Sequence, residues 1–191
     1  MRKLFQRLFS AWIIRMSNRF GSRPDKKRIH DALNTLYKTI NNTPGKRGLI
    51  FEPAIDDRYI IFSDQHKGAR DFADDFQLAE KNYLAALSHY NAEDFHYINL
   101  GDSEELWENL LESVIKHNKQ TFEYEAAFLK RKAFTKIFGN HDLYWDNDPL
   151  AAFNLKRIYG EKVEIYEGVI LKFSFGQQPL NIFLTHGHQG D

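Results

Sequence analysis

Four short apolar runs, each followed at once by residues that can bind a metal, constrain this chain more than any other feature of its sequence. The runs are residues 59–62, 95–100, 136–138 and 181–184. They have the character of buried strands. The residues that follow them are Asp64 with His66, then Asp102, then Asn140-His141-Asp142, then His186 with His188. Because open α/β sheets bind ligands at the carboxyl ends of their strands, we expect these side chains to converge on one site.

The chain has 191 residues and no cysteine. This excludes disulfide frameworks, thiol catalysis, zinc–thiolate fingers and iron–sulfur clusters. Any metal must therefore be held by oxygen and nitrogen ligands. Hydrophobic residues make up 42% of the chain, which is enough for a sizeable core. No run approaches ~18 consecutive apolar residues, so we predict no transmembrane helix.

The first 30 residues carry nine Lys or Arg and one acid, Asp25, so the net charge of zero hides a basic arm on an acidic body. Within residues 1–20, apolar residues recur at intervals of three and four, as in an amphipathic helix. The apolar positions are Leu4, Phe5, Leu8, Phe9, Trp12, Ile13, Met16 and Phe20. Such a cationic helix suits an anionic membrane surface, and it equally suits packing on the domain or on another subunit. An organellar transit peptide is a further alternative.

We expect residues 1–48 to form a basic amphipathic helical arm with a linker, and residues 49–191 to form the catalytic body. A second helix is predicted over residues 25–40. In the body, the predicted helices are residues 76–90, 104–117 and 121–134. Residues 163–166 and 169–175 are predicted to form a hairpin joined at Glu167-Gly168. The predicted fold class is α/β.

The motifs Asp-x-His, Gly-Asp, Gly-Asn-His-Asp and His-Gly-His, in this order, resemble the signature of the calcineurin-like metallophosphoesterases over residues 57–191. The resemblance implies a β-sandwich flanked by helices, with a two-metal centre at the strand ends. It implies that Asp64 and His66 bind the first metal and that Asp102 bridges both metals. Asn140 and His186 would bind the second metal.

The resemblance also implies that His141 protonates the leaving group or steadies the phosphoryl oxygens, with Asp142 holding its ring. A carboxylate is the residue type that can bridge two cations, and neutral Asn and His ligands limit the negative charge that an incoming phosphate meets. Oxygen and nitrogen ligands without sulfur suit two ions of Mn, Fe, Zn or Co. The expected activity is hydrolysis of a phosphate mono- or diester by a metal-activated water.

The sequence departs from the family after His186. Family members continue with a Gly-His-x-His motif that supplies one ligand to each metal, whereas this chain reads Gly187-His188-Gln189-Gly190. We therefore expect a phosphoesterase domain that is incomplete at its C-terminus and lacks the last strands of its second sheet. The chain would be either a fragment or an inactive homologue. His188 is a candidate substitute ligand.

The residues around the first two motifs also resemble bacterial family members, including the UDP-diacylglucosamine pyrophosphohydrolases of lipid A synthesis. Those enzymes have Gly-Asn-Arg-Asp at the third motif, where this chain has His141. Lys67 and Arg70 are candidate contacts for substrate phosphate, and the alternative is that both are solvated residues at a helix start. Other hypotheses are a nuclease whose basic arm binds nucleic acid and a non-catalytic membrane- or anion-binding module. The expected location is the cytoplasm, with peripheral attachment to the inner membrane.

Overall fold

A computed structural model of the protein describes residues 2–20, 25–71, 74–175 and 178–190. Within these ranges the chain is a mixed α/β protein with two sheets. The helices are α1 (Arg2–Phe20), α2 (Lys26–Asn42), α3 (Phe76–Ala92), α4 (Leu111–His117), α5 (Lys119–Lys130), α6 (Tyr144–Asn147) and α7 (Ala151–Tyr159). The strands are β1 (Gly48–Phe51), β2 (Tyr59–Phe62), β3 (His96–Leu100), β4 (Phe134–Ile137), β5 (Ile165–Tyr166), β6 (Gly168–Phe175) and β7 (Gln178–Thr185).

The larger sheet has the order β2-β3-β4-β5, and all of its strands are parallel. Helices α3 and then α4 and α5 make the crossovers between the first three strands, as parallel pairing requires. The carboxyl ends of β2, β3 and β4 therefore lie along one edge, where three of the predicted ligand segments begin. The predicted α/β class is confirmed at this level.

The smaller sheet has the order β1-β6-β7, in which β6 and β7 form an antiparallel hairpin and β1 pairs parallel with β6. The predicted hairpin of residues 163–166 with 169–175 is wrong. Tyr166 pairs with Ile137 in the larger sheet, whereas Gly168 pairs with Gly48 in the smaller one, so the chain changes sheets at Glu167. Arg47 fixes this crossing, since its carbonyl accepts from the Glu167 amide at 2.7 Å and its Nε donates to Glu167 Oε2 at 2.8 Å.

The core lies in layers on both sides of the larger sheet. Ile98 and Ile137 of this sheet pack against Val169 and Leu171 of the smaller sheet, so the two sheets stack face to face. On the opposite face, α3 and α5 cover β3 through a buried cluster whose centre is Tyr97. The protein is thus a two-sheet sandwich with helices outside.

Three further predicted segments differ from the structure. The helix predicted over residues 121–134 is α5 (Lys119–Lys130), and Phe134 already belongs to β4. The helix predicted over residues 104–117 is confined to α4 (Leu111–His117), because Glu104 is fully buried in a bridge to Lys67 and the chain reaches α4 through turns. The predicted arm of residues 1–48 divides into two parts. Helix α2 belongs to the body, since Ile40 is fully buried against Ile170 of β6.

Helix α1 differs from α2, because the described side chains of α1 are exposed along the helix. The side chains of Leu4, Phe5 and Leu8, three of the predicted apolar positions, lie outside the described residues. Among the residues described, no helix has both the length and the apolar character needed to cross a bilayer.

Because α2 packs on the body and α1 is exposed, replacing an isoleucine should change the free energy of unfolding differently in the two helices. Ile40→Ala should lower the free energy of unfolding by about 2–4 kcal/mol, because it leaves a cavity between α2 and β6. Ile13→Ala, on exposed α1, should change it by less than about 0.5 kcal/mol. Urea unfolding followed by circular dichroism measures both. Equal costs for the two variants would contradict the packing described for α2.

Candidate metal centre

The strand ends bring the predicted ligands together as expected. Asp64 and His66 follow β2, Asp102 follows β3, Asn140 follows β4, and His186 follows β7 of the smaller sheet. Their side chains form two groups whose ligand atoms lie within 4.8 Å of one another. One group is Asp64, Asp102 and His186, and the other is His66, Asp102 and His141. Asp102 is the member that both groups share.

The distances between donor atoms suit metal ligation. His66 Nε2 lies 3.8 Å from Asp64 Oδ1 and 3.7 Å from Asp102 Oδ2. His186 Nε2 lies 3.2 Å from both Asp102 Oδ2 and Asn140 Oδ1. Ligand atoms bound to one ion at about 2.0–2.2 Å stand roughly 3 Å or more apart, so these separations fit. The five predicted ligands are therefore adjacent, and His141 joins them.

The backbone at this site adopts a conformation that side chains seldom permit. Asp64, His66 and Asp102 have φ values of 58°, 49° and 50°. Left-handed backbone at residues other than glycine is uncommon and costs free energy, and it occurs preferentially at functional sites. The left-handed conformation of Asp102 comes directly after Gly101, whose φ is 88°. Of the six non-glycine residues with positive φ in the described ranges, three thus belong to the candidate centre, and Arg70, Asp94 and Lys132 lie elsewhere.

Two glycines make room for the converging side chains. A Cβ on Gly139 would lie 2.1 Å from Asp102 Oδ1, and one on Gly101 would lie 2.7 Å from Cγ of His186. Both distances are far below contact distance, so neither position accommodates a side chain while Asp102 and His186 keep their places. The glycines of the Gly-Asp and Gly-Asn-His-Asp motifs are thereby explained by close approach.

A glutamate that the sequence analysis missed orients two of the histidines. Glu105 Oε2 lies 3.2 Å from His66 Nδ1 and 2.6 Å from His141 Nδ1. Accepting from Nδ1–H leaves the Nε2 lone pair of His66 facing Asp64 and Asp102, as ligation requires. The carbonyl of Leu100 does the same for His186, whose Nδ1 is 3.0 Å away. The only signal in the sequence was the adjacent pair Glu104-Glu105, and the sequence predicted both in a helix.

Asp142 has a different role from the one predicted. It is fully buried and does not hold the ring of His141, which Glu105 holds instead. Its carboxylate accepts from the amides of Gly139 at 2.6 Å, Ser103 at 2.9 Å and Asp102 at 3.3 Å. Asp142 therefore ties the loop after β4 to the loop after β3, which places it as a positioning residue.

Trp107 forms an exposed wall of the site. Its indole stacks on the ring of His141, with centroids 3.9 Å apart and planes inclined by 24°. The sequence placed Trp107 in the helix predicted over residues 104–117, whereas the residue lies before α4 and is 62% exposed. With Glu105 on one nitrogen and Trp107 on its face, His141 is held in a single orientation.

The charges at the centre reinforce one another. Burial by itself would raise the pKa of Asp102, but the hydrogen bonds from His186 and from the amide of His141 outweigh it and lower the pKa. The same hydrogen bond to Asp102 raises the pKa of His186 to about 9, against the opposing effect of burial. Asp102 is therefore an ionised carboxylate at neutral pH, and a divalent cation would displace the proton that His186 carries.

The structure does not place the two predicted phosphate contacts in the site. Lys67 is fully buried and points away from solvent, with Nζ 2.7 Å from Glu125 Oε1 and 3.1 Å from Glu104 Oε1. Both roles predicted for Lys67 are therefore wrong: it is neither a phosphate contact nor a solvated residue. The guanidinium of Arg70 binds Glu80 and the carbonyl of His117, which ties its loop to neighbouring helices.

His188 lies next to the centre without joining either ligand group found among the described residues. Its ring packs 5.3 Å from the ring of Phe138 and 5.8 Å from that of His186. The structure therefore places the candidate substitute ligand beside the site as a packing residue.

A cavity of about 580 Å³ opens beside the candidate centre. Asp64, His66 and Glu105 line it together with Asp75 and Glu108. Among the described residues that line this cavity, none is Lys or Arg. Such an acidic cavity attracts cations and repels anions.

Comparison of the chain with family models, with curated proteins and with solved structures finds no significant match. The assignment of a function therefore rests on the geometry of the site.

The burial of Lys67 leads to a prediction about stability. Lys67→Met leaves Glu125 and Glu104 short of a partner in the interior, so the free energy of unfolding should fall by about 3–5 kcal/mol. Lys81→Met, which removes the same charge from an exposed position on α3, should cost less than about 0.5 kcal/mol. Urea denaturation compares the two. A loss below about 1 kcal/mol for Lys67→Met would show that the buried ion pairs are not formed.

Glu105 provides a second prediction. Glu105→Gln should weaken Mn²⁺ binding by about 10–100-fold, since the carboxylate no longer fixes the rings of His66 and His141. Glu108→Gln removes the same charge from the same cavity without touching either histidine, and it should weaken binding much less. Isothermal titration calorimetry measures both affinities. Equal losses would show that only the net charge of the cavity matters.

Proposed function

We propose that this protein is a calcineurin-like metallophosphoesterase that hydrolyses a phosphate ester at a dinuclear metal centre. The observation that carries the proposal is the shared carboxylate of Asp102, which belongs to two adjacent groups of ligand atoms. A carboxylate common to two sites is what a pair of divalent ions about 3.5–4 Å apart requires. The stacked sheets flanked by helices support the same family fold.

The residues present fit two divalent ions of the Mn, Fe, Zn or Co type. The donor set contains only carboxylate, amide and imidazole groups, and the imidazole tautomers are fixed by Glu105 and Leu100. The family resemblance assigns Asp64, His66 and Asp102 to one ion and Asp102, Asn140 and His186 to the other. The ligand groups of the structure share the same Asp102 but place Asp64 with His186 and His66 with His141. When bound, such a metal pair activates water and stabilises the charge on a phosphoryl group during in-line displacement.

His141 is the residue of the centre best placed to move a proton. Its Nδ1 is committed to Glu105 at 2.6 Å, and its face is covered by Trp107. The other ring nitrogen is thus the one that can donate to a leaving group or to a phosphoryl oxygen. Glu105 thereby orients the ring so that the other nitrogen faces the candidate centre. Asp142 holds the loop that carries His141 without contacting the substrate.

The acidic cavity supports the same proposal. Asp64, Glu105 and Glu108 would repel a phosphate ester in the absence of cations. Two divalent ions would offset most of the negative charge at the cavity, and the substrate would then bind to the ions themselves. In this proposal the metals would bind the substrate phosphate, rather than Lys67 and Arg70 as the sequence analysis suggested.

Hydrolysis of bis-p-nitrophenyl phosphate and p-nitrophenyl phosphate in the presence of Mn²⁺ tests the proposal. Activity should require Mn²⁺ and should fall at least about 100-fold in Asp102→Asn, because a neutral amide replaces the carboxylate and cannot bridge the two ions as a carboxylate does. Asp56→Asn, an exposed acid outside the cavity, is the matched control and should keep full activity.

The assay is run on these 191 residues and on any longer chain that the gene encodes. Activity in either form that is lost in Asp102→Asn supports the enzyme. Equal activity of Asp102→Asn and Asp56→Asn, or no turnover in any form, contradicts it. Comparing the two substrates shows whether diesters or monoesters are preferred.

A further inference from the structure

Helix α1 (Arg2–Phe20) presents apolar side chains to solvent along one face. Trp12, Ile13 and Phe20 are 59%, 56% and 69% exposed, and Met16 lies between them on the same face. Positions separated by three, four and seven residues share one side of a helix. Burying such side chains is favourable, so a continuous stripe of exposed apolar groups indicates an interaction surface.

The second feature of α1 is its charge. Residues 1–24 contain no acid, and α1 carries Arg2, Lys3, Arg7, Arg15 and Arg19. Arg15 and Arg19 follow the edge of the apolar stripe, and the guanidinium of Arg19 lies 5.4 Å from the centroid of the Phe20 ring. Helix α2 then begins with the exposed Lys26, Lys27 and Arg28. The partner of this surface must therefore be anionic as well as apolar.

We propose that α1 is a membrane-surface anchor whose apolar face inserts into the interfacial region of an anionic bilayer. Its 19 residues span about 28 Å, and no helix among the described residues has the character of a bilayer span, so α1 would lie in the plane of the surface. Tryptophan at the stripe suits the level of the lipid headgroups, while arginines at the edge reach the phosphates.

The charge distribution of the whole chain supports a lipid partner. The first 30 residues carry a net charge of +8, and the remainder carries −8. An anionic bilayer attracts the arm and repels the body, so the folded domain would stay in water beside the surface. Since α2 is packed on β6 and α1 is exposed, the anchor joins the body through residues 21–25. This inference does not depend on the metal centre.

Sedimentation with lipid vesicles tests the anchor. The full chain should bind vesicles of phosphatidylcholine with about one-third phosphatidylglycerol and should not bind pure phosphatidylcholine. Replacing Trp12 and Ile13 together by Ser should weaken binding at least about tenfold, since their apolar area no longer enters the interface. Replacing Arg15 and Arg19 together by Glu should weaken it by about fivefold or more per cation.

The matched control replaces Leu78 by Ser and Lys81 by Glu, two exposed positions on α3, and should bind as the unmodified chain does. All of these positions are exposed, so urea unfolding should show unchanged stability. Trp12→Phe identifies the Trp12 emission, which should shift to the blue and be quenched by brominated lipid when anionic vesicles are added.

Three results would overturn the proposal. Vesicle binding that survives replacement of Trp12 and Ile13 would mean that the apolar face is not inserted. Binding to a short DNA duplex without binding to vesicles would assign the arm to nucleic acid. Self-association in analytical ultracentrifugation, abolished by the same double replacement and accompanied by no vesicle binding, would assign the face to a second copy of the chain.

Discussion

A buried network of ion pairs under the candidate centre is the interaction on which the rest of the structure depends. Glu104 accepts from Lys136 Nζ at 2.8 Å, from Lys67 Nζ at 3.1 Å and from Trp145 Nε1 at 2.7 Å. Glu125 accepts from Lys67 at 2.7 Å, and all four charged side chains are fully buried. Two lysines and two glutamates leave no net charge, and further hydrogen bonds to Glu125 come from the hydroxyls of Tyr83 and Tyr159. These ion pairs and hydrogen bonds offset the free-energy cost of taking the four charged groups out of water.

This network holds in place the two loops that carry candidate ligands. In each loop, neighbouring residues face opposite sides. Lys67 and Glu104 point inward, so their neighbours His66 and Glu105 point outward into the site. The main chains of the two loops are also joined, because the amide of His66 donates to the Asp102 carbonyl at 2.9 Å. The strained backbone at Asp64, His66 and Asp102 is held by these constraints on both sides. The buried pairs therefore determine the geometry of the candidate centre, although they bind nothing themselves.

The sequence predicted that the candidate ligands converge because each follows a short apolar strand. Strand order in the larger sheet accounts for the ligands that follow β2, β3 and β4, whereas His186 reaches the site from β7 of the smaller sheet, which the sequence did not place there. It could not predict the direction of Lys67, since a lysine beside a ligand has the same local pattern whether it faces solvent or the core. It missed Glu105 for the same reason, because its partners His66 and His141 are 39 and 36 residues away. The hairpin was predicted wrongly because Glu167-Gly168 has the composition of a turn, while its role as a crossing between sheets depends on Arg47.

The central claim is that Asp102 stands between two metal ions. Crystals of the protein grown with Mn²⁺ test it through anomalous diffraction near the manganese edge. The account predicts two anomalous peaks about 3.5–4 Å apart. One would be in reach of Asp64 and His66, the other of Asn140 and His186, with the Asp102 carboxylate between them. A single peak, or peaks away from Asp102, would contradict the account.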